Sequence, residues 1–309
     1  MINDDQTMLP LEVVAAVIRD TQGRVLIAKR PSNKHQGGKW EFPGGKVEQG
    51  ESRRSALTRE IREEIGIEVG HCSRLISIYH EYSDKAIYLD IYEVTAWEGT
   101  PEGKEGQEIT WVTAEALDNY QFPDANLPTI EAVRLPKQLK RIEQINCAED
   151  FRHQVKSAID NSYRMLFFSF DTAKNSFEPD VELINWMLDT AASQGARVLF
   201  ESPPPLVRSD YNLCLNSDDL QKAQEKPSAE RVAGVCHNAE SLFKAQRLGL
   251  DFLIIDSVLV NQDGSSKGIG WPAFQSLSSR VNVPVYASGG MGEKELELAR
   301  EYGAQGILL

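Results

Sequence analysis

Hydrophobic positions follow two grammars along this chain. Over residues 12–134, strand-like runs (VVAAVI, RVLIAKR, AIYLDIYEVTAW) accompany one segment whose apolar residues Leu57, Ile61 and Ile65 recur at helical spacing. The spacing predicts a long helix burying that stripe, packed on a mixed sheet. The turn-rich DTQG at 20–23 separates two strand-like runs and predicts a hairpin. After Pro136 the polar, basic KQLKRIEQ has little strand character. The boundary is therefore set there, with one domain over 1–135, a linker and the start of the next over 136–147, and a second domain over 148–309.

The second half repeats strand then helix. Strands are predicted around 142–147, 165–170, 197–202, 211–215, 231–236, 252–258, 283–288 and 306–309. Amphipathic segments such as AESLFKAQRLG and EKELELAREYG, each ending in Gly, fall between them. This is the rhythm of a parallel (β/α)8 barrel of the TIM type, with a doubly wound open sheet as the alternative. The fold class is α/β throughout.

Composition narrows the partners. At 309 residues the chain has material for two cores, and a net charge of −13 with a pI near 5.0 argues against a nucleic-acid polymer. A small nucleotide carried with Mg²⁺ remains compatible. Cys72, Cys147, Cys214 and Cys236 are scattered without a CxxC pair, so neither a zinc site nor a disulfide framework is indicated. The chain opens on acidic MINDDQTMLP and has no run of 18 apolar residues, so a soluble, cytoplasmic protein without a membrane partner is expected. Oligomeric state stays open.

The chemistry concentrates in residues 45–67, GKVEQGESRRSALTREIREEIGI. At roughly 100° of rotation per residue, Glu60, Glu63 and Glu64 share one helix face. Crowded carboxylates repel one another unless a hard cation lies among them, and Mg²⁺ suits oxygen ligands. An ordinary solvated acidic helix, paired through Arg59 and Arg62, is the other reading. Gly44 and Gly45 allow a sharp turn before the helix, and Gly66 suits a left-handed helix end.

That stretch carries the complete signature of the Nudix hydrolases. Over about 13–130 the chain resembles their MutT group, through KRPSNKHQGGKWEFPGGK, WEGTPEGKEGQEITW and FPDANLPTI. The resemblance implies a Nudix α/β/α sandwich and hydrolysis of 8-oxo-dGTP to its monophosphate and pyrophosphate. It implies a metal, Mg²⁺ with Mn²⁺ as a substitute, held by the Gly44 carbonyl and by Glu60, Glu63, Glu64 and Glu105. Those four glutamates form the catalytic set, and Glu60 or Glu105 takes the proton from the attacking water. The implied substrate residues are Arg30, His35, Phe42, Gly45, Lys46, Lys85, Phe122 and Asn126, with Asn126 reading the purine edge. Arg30 is equally consistent with a strand-end surface arginine. Lys85 stands where related enzymes have an arginine, and lacks its planar fork. Hydrolysis of another diphosphate, such as a thiamine-related compound, is the alternative.

From about 142 onward the chain resembles the thiamine-phosphate synthase barrel, through VAGVCHNAESL, DFLIIDSVLVNQDGSSKGIGWPAF and VPVYASGGMG. The resemblance implies a phosphate cradle at Gly289 and Gly290 approached by Lys267; a tight βα turn explains those glycines equally well. Where that family has a basic motif after strand two and an Asn-Asp pair after strand three, this chain has FFSFDTAKN and ESPPPLVRSD. Asp218 and Asp219 remain as acidic ligands or as a helix start. A degenerate barrel is expected, serving as a ligand-sensing or oligomerisation module.

Overall fold

Strand β1 (Leu11–Ile18) sends alternate side chains to two opposite layers, and the first unit is built on that division. The computed structural model describes residues 10–32, 36–170, 177–203, 208, 210–260 and 267–309. The chain divides into two compact units, Met1–Arg134 and Leu135–Leu309.

In the first unit, β1 is followed by β2 (Val25–Lys29), β3 (Trp40–Glu41), β4 (Gly44–Lys46), helix α1 (Arg53–Ile65), β5 (Glu68–Val69), β6 (Cys72–Glu81), β7 (Ala86–Val94), β8 (Trp97–Glu98), β9 (Ile109–Val112) and helix α2 (Leu127–Arg134). The main sheet has the order β4-β1-β7-β6, with β1 parallel to β7 and the other pairs antiparallel. A three-stranded sheet β3-β2-β9 and a two-stranded pair β5-β8 complete it. Val14, Ala16 and Ile18 face α1, which buries Ala56, Leu57, Ile61 and Ile65. Ala15 and Val17 face the other way, toward Ile130 and Val133 of α2. The mixed-sheet sandwich expected for a Nudix domain is present.

The DTQG turn forms, with the Gly23 N–H donating to the Asp20 carbonyl at 3.0 Å and Asp20 Oδ1 accepting from the Gln22 and Arg24 N–H groups. The hairpin expected around it does not continue. Only Arg19 and Val25 bridge, and the strands then part into different sheets. Each strand finds a longer partner elsewhere, β1 in β7 and β2 in β9, and those ladders outweigh the local pairing.

In the second unit the strands are β10 (Gln138–Ile142), β11 (Met165–Ser169), β12 (Arg197–Glu201), β13 (Asn212–Leu215), β14 (Val232–Cys236), β15 (Phe252–Ile255), β16 (Val285–Ala287) and β17 (Gly306–Leu308). They pair in parallel and close through β10 and β17, which removes the open-sheet alternative. Helices α3 (Ala148–Asp160), α4 (Val181–Ser193), α5 (Ser217–Lys222), α6 (Ala239–Arg247), α7 (Trp271–Ser278) and α8 (Leu296–Glu301) lie between strands. Leu139, Phe167, Leu199, Phe252, Ile254 and Tyr286 form the barrel's own cluster. A strand at 142–147 is a misreading. The first barrel strand lies earlier, inside the stretch read as polar linker, because ladders to β11 and β17 fix a segment whose only fully buried side chains are Leu139 and Ile142.

Cys72, Cys214 and Cys236 are buried, Cys147 is exposed, and all are free thiols. Among the described residues, no helix is long and apolar enough to cross a membrane.

Candidate active site

A cleft of about 630 Å³ opens in the first unit. Its floor is the paired segment β1–β4, and its walls come from α1, the 101–107 loop, the β6–β7 turn and the 123–126 turn. Glu60, Glu64 and Glu105 line it together with Gly44, Gly45 and Lys46.

Helix α1 starts on Ser52, whose side chain accepts from the Ser55 N–H, and ends on Gly66 with φ 74°. Its glutamates then meet the glycine pair. Glu64 Oε2 accepts the Gly44 N–H at 3.1 Å, while Glu60 packs so closely on Gly45 that a Cβ there would lie 2.2 Å from the Glu60 carboxyl carbon. Gly44, with φ 154°, runs equally close to the Val14 backbone. Space, more than flexibility, requires the second glycine. Gly45→Ala should therefore displace the Glu60 carboxylate and lower kcat at least about tenfold, the scale of a misplaced catalytic group; steady-state kinetics with a thermal melt will separate this from unfolding.

Arg59 organises the same region. Its guanidinium donates to both Glu51 oxygens at 3.1 and 3.0 Å, to Glu60 at 2.8 Å, to Glu63 at 3.4 Å and to the Lys46 carbonyl at 3.0 Å. Bonds to Glu51 and then Glu60 raise the Arg59 pKa above its usual value, and the Arg59 bond holds Glu51 below the usual carboxylate range. Arg59 thus acts as a brace. Glu63 lies off the cleft wall with its side chain 58% exposed.

Glu105 reaches the cleft because its loop is tied to the last turn of α1. The Lys104 N–H and the Gln107 side-chain amide both donate to the Glu64 carbonyl, at 2.9 and 2.8 Å, and Gln107 Oε1 accepts the Glu105 N–H at 2.8 Å. Carbonyls at a helix end have no partner within the helix, and this loop supplies them.

Arg30, also on the cleft wall, is ion-paired with Glu41. Burial pulls the Arg30 pKa down, while Tyr82 and Glu64 act in the opposite sense. Phe42 lines the cleft and Phe122 stacks behind it, with ring centroids 5.5 Å apart. Asn126 is on the wall and only 8% exposed, and Lys85 comes from the β6–β7 turn. His80 is not on the wall; it packs edge-on against Tyr82 at 4.5 Å. His35 lies outside the described residues, as do 171–175 of FFSFDTAKN, 204–207 and 209 of ESPPPLVRSD, and 261–266. Glu41, Gln36, Glu48 and Tyr82 also line the cleft and were not singled out from the sequence. Glu41 was legible in principle, as the polar residue between two aromatics in WEF.

Residues 14–132 match the family model described as NUDIX domain. The 8-oxo-dGTP diphosphatase of Escherichia coli K12 is 38% identical over 127 residues, which span 41% of this chain and 98% of that protein. The chain belongs to the Nudix family. The CTP pyrophosphohydrolase of Escherichia coli K12 is 42% identical over 125 residues, 40% of this chain and 92% of that protein. A solved MutT structure, from work on Aliivibrio salmonicida and Vibrio cholerae, is 43% identical, covering 40% of this chain and 97% of that one with a TM-score of 0.37. Residues 213–309 match the family model described as Thiamine monophosphate synthase. The first unit is a Nudix hydrolase, acting on phosphorus anhydrides.

Nudix hydrolases generally need a divalent metal. The donors here fit one chemically, because Glu60 and Glu64 converge on the same glycine pair and Glu105 faces the same space. Among the described residues no three acidic, histidine or cysteine side chains stand as a closed ligand group. The wall is acidic without being a preassembled cage.

In the barrel, Gly289 and Gly290 have φ 87° and 67° and press on the backbone of Ser257 and Val260. The Leu259 N–H donates to the Gly289 carbonyl at 3.2 Å, tying the loop after β15 to the loop after β16. Lys267 is exposed, and the nearby Ile269 N–H is bonded to the Ser257 carbonyl. Asp218 and Asp219 lie in the first turn of α5, whose cap is Asn216, and Asp219 accepts from Ser202 Oγ at 3.1 Å. That is the helix-start reading.

Proposed function

We propose that the Nudix unit is a Mg²⁺-dependent nucleoside triphosphate pyrophosphohydrolase whose preferred substrate is 8-oxo-dGTP, converted to 8-oxo-dGMP and pyrophosphate. The observation that carries this reading is one cleft whose lining joins the carboxylates Glu60, Glu64 and Glu105 to Arg30, Phe42 and Asn126. The names of the 8-oxo-dGTP diphosphatase relatives support it.

Gly44, Glu60, Glu64 and Glu105 would hold the ion from the cleft wall, and Glu63, which lies at the rim, would join them by turning inward. When bound, Mg²⁺ lowers the pKa of water and neutralises phosphate oxygens. In the reaction a water oxygen bonds to the β-phosphorus, the bond from that phosphorus to the oxygen bridging it to the α-phosphorus breaks, and the monophosphate leaves with that oxygen while the β- and γ-phosphates leave as pyrophosphate. Glu60 or Glu105 accepts the water proton. Arg59 keeps the Glu60 carboxylate in position through its 2.8 Å bond. Lys46, Lys85 and Arg30 offer positive charge to the phosphates, Phe42 offers a face for the base, and Asn126 offers an amide for its edge.

The CTP pyrophosphohydrolase relative favours a second reading, a pyrimidine nucleotide. Pyrophosphate release from 8-oxo-dGTP, dGTP, CTP and thiamine diphosphate separates these. With Mg²⁺, kcat/KM for 8-oxo-dGTP should exceed that for dGTP by at least about 10²-fold, the discrimination available to a site bonding one group of the base. A metal chelator should bring the rate to background, and Mn²⁺ should restore it. Faster turnover of CTP would replace the purine reading, and faster turnover of thiamine diphosphate would give the barrel a part in substrate choice. Without that, the barrel stands as a sensing or oligomerisation module.

A further inference from the structure

Glu60 and Glu64 reach the cleft from α1, whereas Glu105 reaches it from the 101–107 loop. A cation held among them needs loop and helix in register. Backbone bonds lay the loop along the helix end: the Glu102 N–H donates to the Ile65 carbonyl and the Lys104 N–H to the Glu64 carbonyl, each at 2.9 Å. The chain then turns, with the Gly106 N–H donating to the Gly103 carbonyl at 3.2 Å and Gly106 at φ 79°. Glu105 sits inside that turn and is exposed. Gln107 reaches back to it. Its Nε2 donates to the Glu64 carbonyl at 2.8 Å, and its Oε1 accepts the Glu105 N–H at 2.8 Å. One planar amide thus joins the backbone of two residues whose carboxylates line the cleft. Gly103 packs against the same residue, since a Cβ there would lie 2.0 Å from the Gln107 carbonyl oxygen and 3.1 Å from Oε1. Gln107 itself is half-buried and is not among the residues lining the cleft.

We propose that Gln107 is a positioning residue for the metal site, its amide holding Glu105 in register with Glu64 so that both carboxylates meet one ion. The inference rests on the reading of Glu105 as a metal ligand. The place calls for a donor toward a helix-end carbonyl and an acceptor toward a turn N–H, and a glutamine amide supplies both. Groups that hold a ligand in place tune metal affinity without touching the metal. Without the bridge the turn spends part of its time with Glu105 out of place, and apparent affinity falls by the fraction lost. High metal concentration restores the occupied site. Phe42 and Asn126, read as meeting the base, stand on other elements, so base preference is independent of Gln107.

The test is a cycle of Gln107→Met, Glu105→Gln and the double variant in the full chain, with Mn²⁺ binding measured by electron paramagnetic resonance in the absence of nucleotide. Gln107→Met keeps the length of the side chain and removes both bonds, so the Kd for Mn²⁺ should rise about 3- to 10-fold, the scale of one hydrogen bond. Hydrogen exchange over 101–107 should quicken. The Mg²⁺ concentration for half-maximal turnover should rise by the same factor as the Kd, while kcat at saturating Mg²⁺ largely recovers and the preference for 8-oxo-dGTP over dGTP stays as it was. In the Glu105→Gln background the methionine should add little, because both changes act through one carboxylate. Gln107→Asn keeps the amide but is one carbon short of spanning both bonds, and should behave like Gln107→Met. Unchanged Mn²⁺ affinity in Gln107→Met, a loss of kcat that saturating Mg²⁺ does not restore, full additivity in the double variant, or unchanged Mn²⁺ affinity in Gln107→Asn would each overturn the proposal. Where Glu105→Gln weakens Mn²⁺ binding and Gln107→Met does not, the role of Gln107 alone is wrong. Where Glu105→Gln leaves Mn²⁺ binding intact, the ligand reading of Glu105 falls, and the role of Gln107 falls with it.

Discussion

Glu64→Gln will cut kcat by about 10²- to 10⁴-fold, the range that follows loss of a catalytic acid–base or metal-held group, while shifting the thermal midpoint little. The substitution is nearly isosteric. A glutamine keeps a carbonyl oxygen for the Gly44 N–H, now bonded to Glu64 Oε2 at 3.1 Å, and suits a helix about as well as glutamate. What disappears is one negative charge from the cleft wall, beside Glu60 and Glu105. Single-turnover kinetics beside calorimetric Mg²⁺ titration will separate lost metal affinity from lost chemistry. Full activity in this variant would remove the metal assignment. Glu63→Gln makes an informative companion, since Glu63 is 58% exposed and bonded to Arg59 at 3.4 Å. A loss equal to that of Glu64→Gln means that the Glu63 side chain turns inward in the loaded enzyme; a small loss means that it acts through the Arg59 brace.

What the sequence made legible was local. Leu57, Ile61 and Ile65 announce α1 because helical periodicity is a short-range property, and Glu60 and Glu64 follow onto the cleft wall from the same geometry. Gly66 at the helix end is legible for the same reason. Periodicity also put Glu63 on the acidic face, yet Arg59 draws it to the rim, a competition that spacing alone does not rank. The rest of the cleft lining was hidden in longer-range contacts: Arg30 pairs with Glu41 of β3, and Phe42 stacks on Phe122. The fused barrel was legible from its repeated strands and helices, but its first strand was not. Gln138–Ile142 is polar in pattern and is held by partners far along the chain, Met165–Ser169 on one side and Gly306–Leu308 on the other.

Asp90→Ala will destabilise the Nudix unit by about 3 kcal/mol, because it removes the one carboxylate between two arginines. Asp90 lies on β7 and is 1% exposed. Arg74 Nη2 and Nε donate to Oδ1 at 2.8 and 3.2 Å, Ser77 Oγ donates to the same oxygen, and Arg53 Nη1 lies 2.9 Å from Oδ2. Arg53 also covers the Tyr88 ring at 5.0 Å. Alanine leaves the buried Arg74 guanidinium facing Arg53 with no carboxylate between them, while Arg53 keeps its 3.1 Å pair with Glu12. The loss falls at the lower end of the range for a broken buried pair because the Arg53 side chain is 37% exposed and regains water, whereas Arg74 is 23% exposed and regains less. For a unit of this size the midpoint should fall by roughly 10 °C, read by thermal unfolding of the full chain with Glu64→Gln as the unperturbed control. Asp90→Asn separates charge from shape: it keeps the volume and an acceptor oxygen for Arg74, so a loss as large as that of alanine assigns the stabilisation to the charge. A loss below about 1 kcal/mol for the alanine variant would mean that both arginines rehydrate freely, and that the β6–β7 hairpin carrying Tyr82 and Lys85 is held by its ladder and core contacts instead.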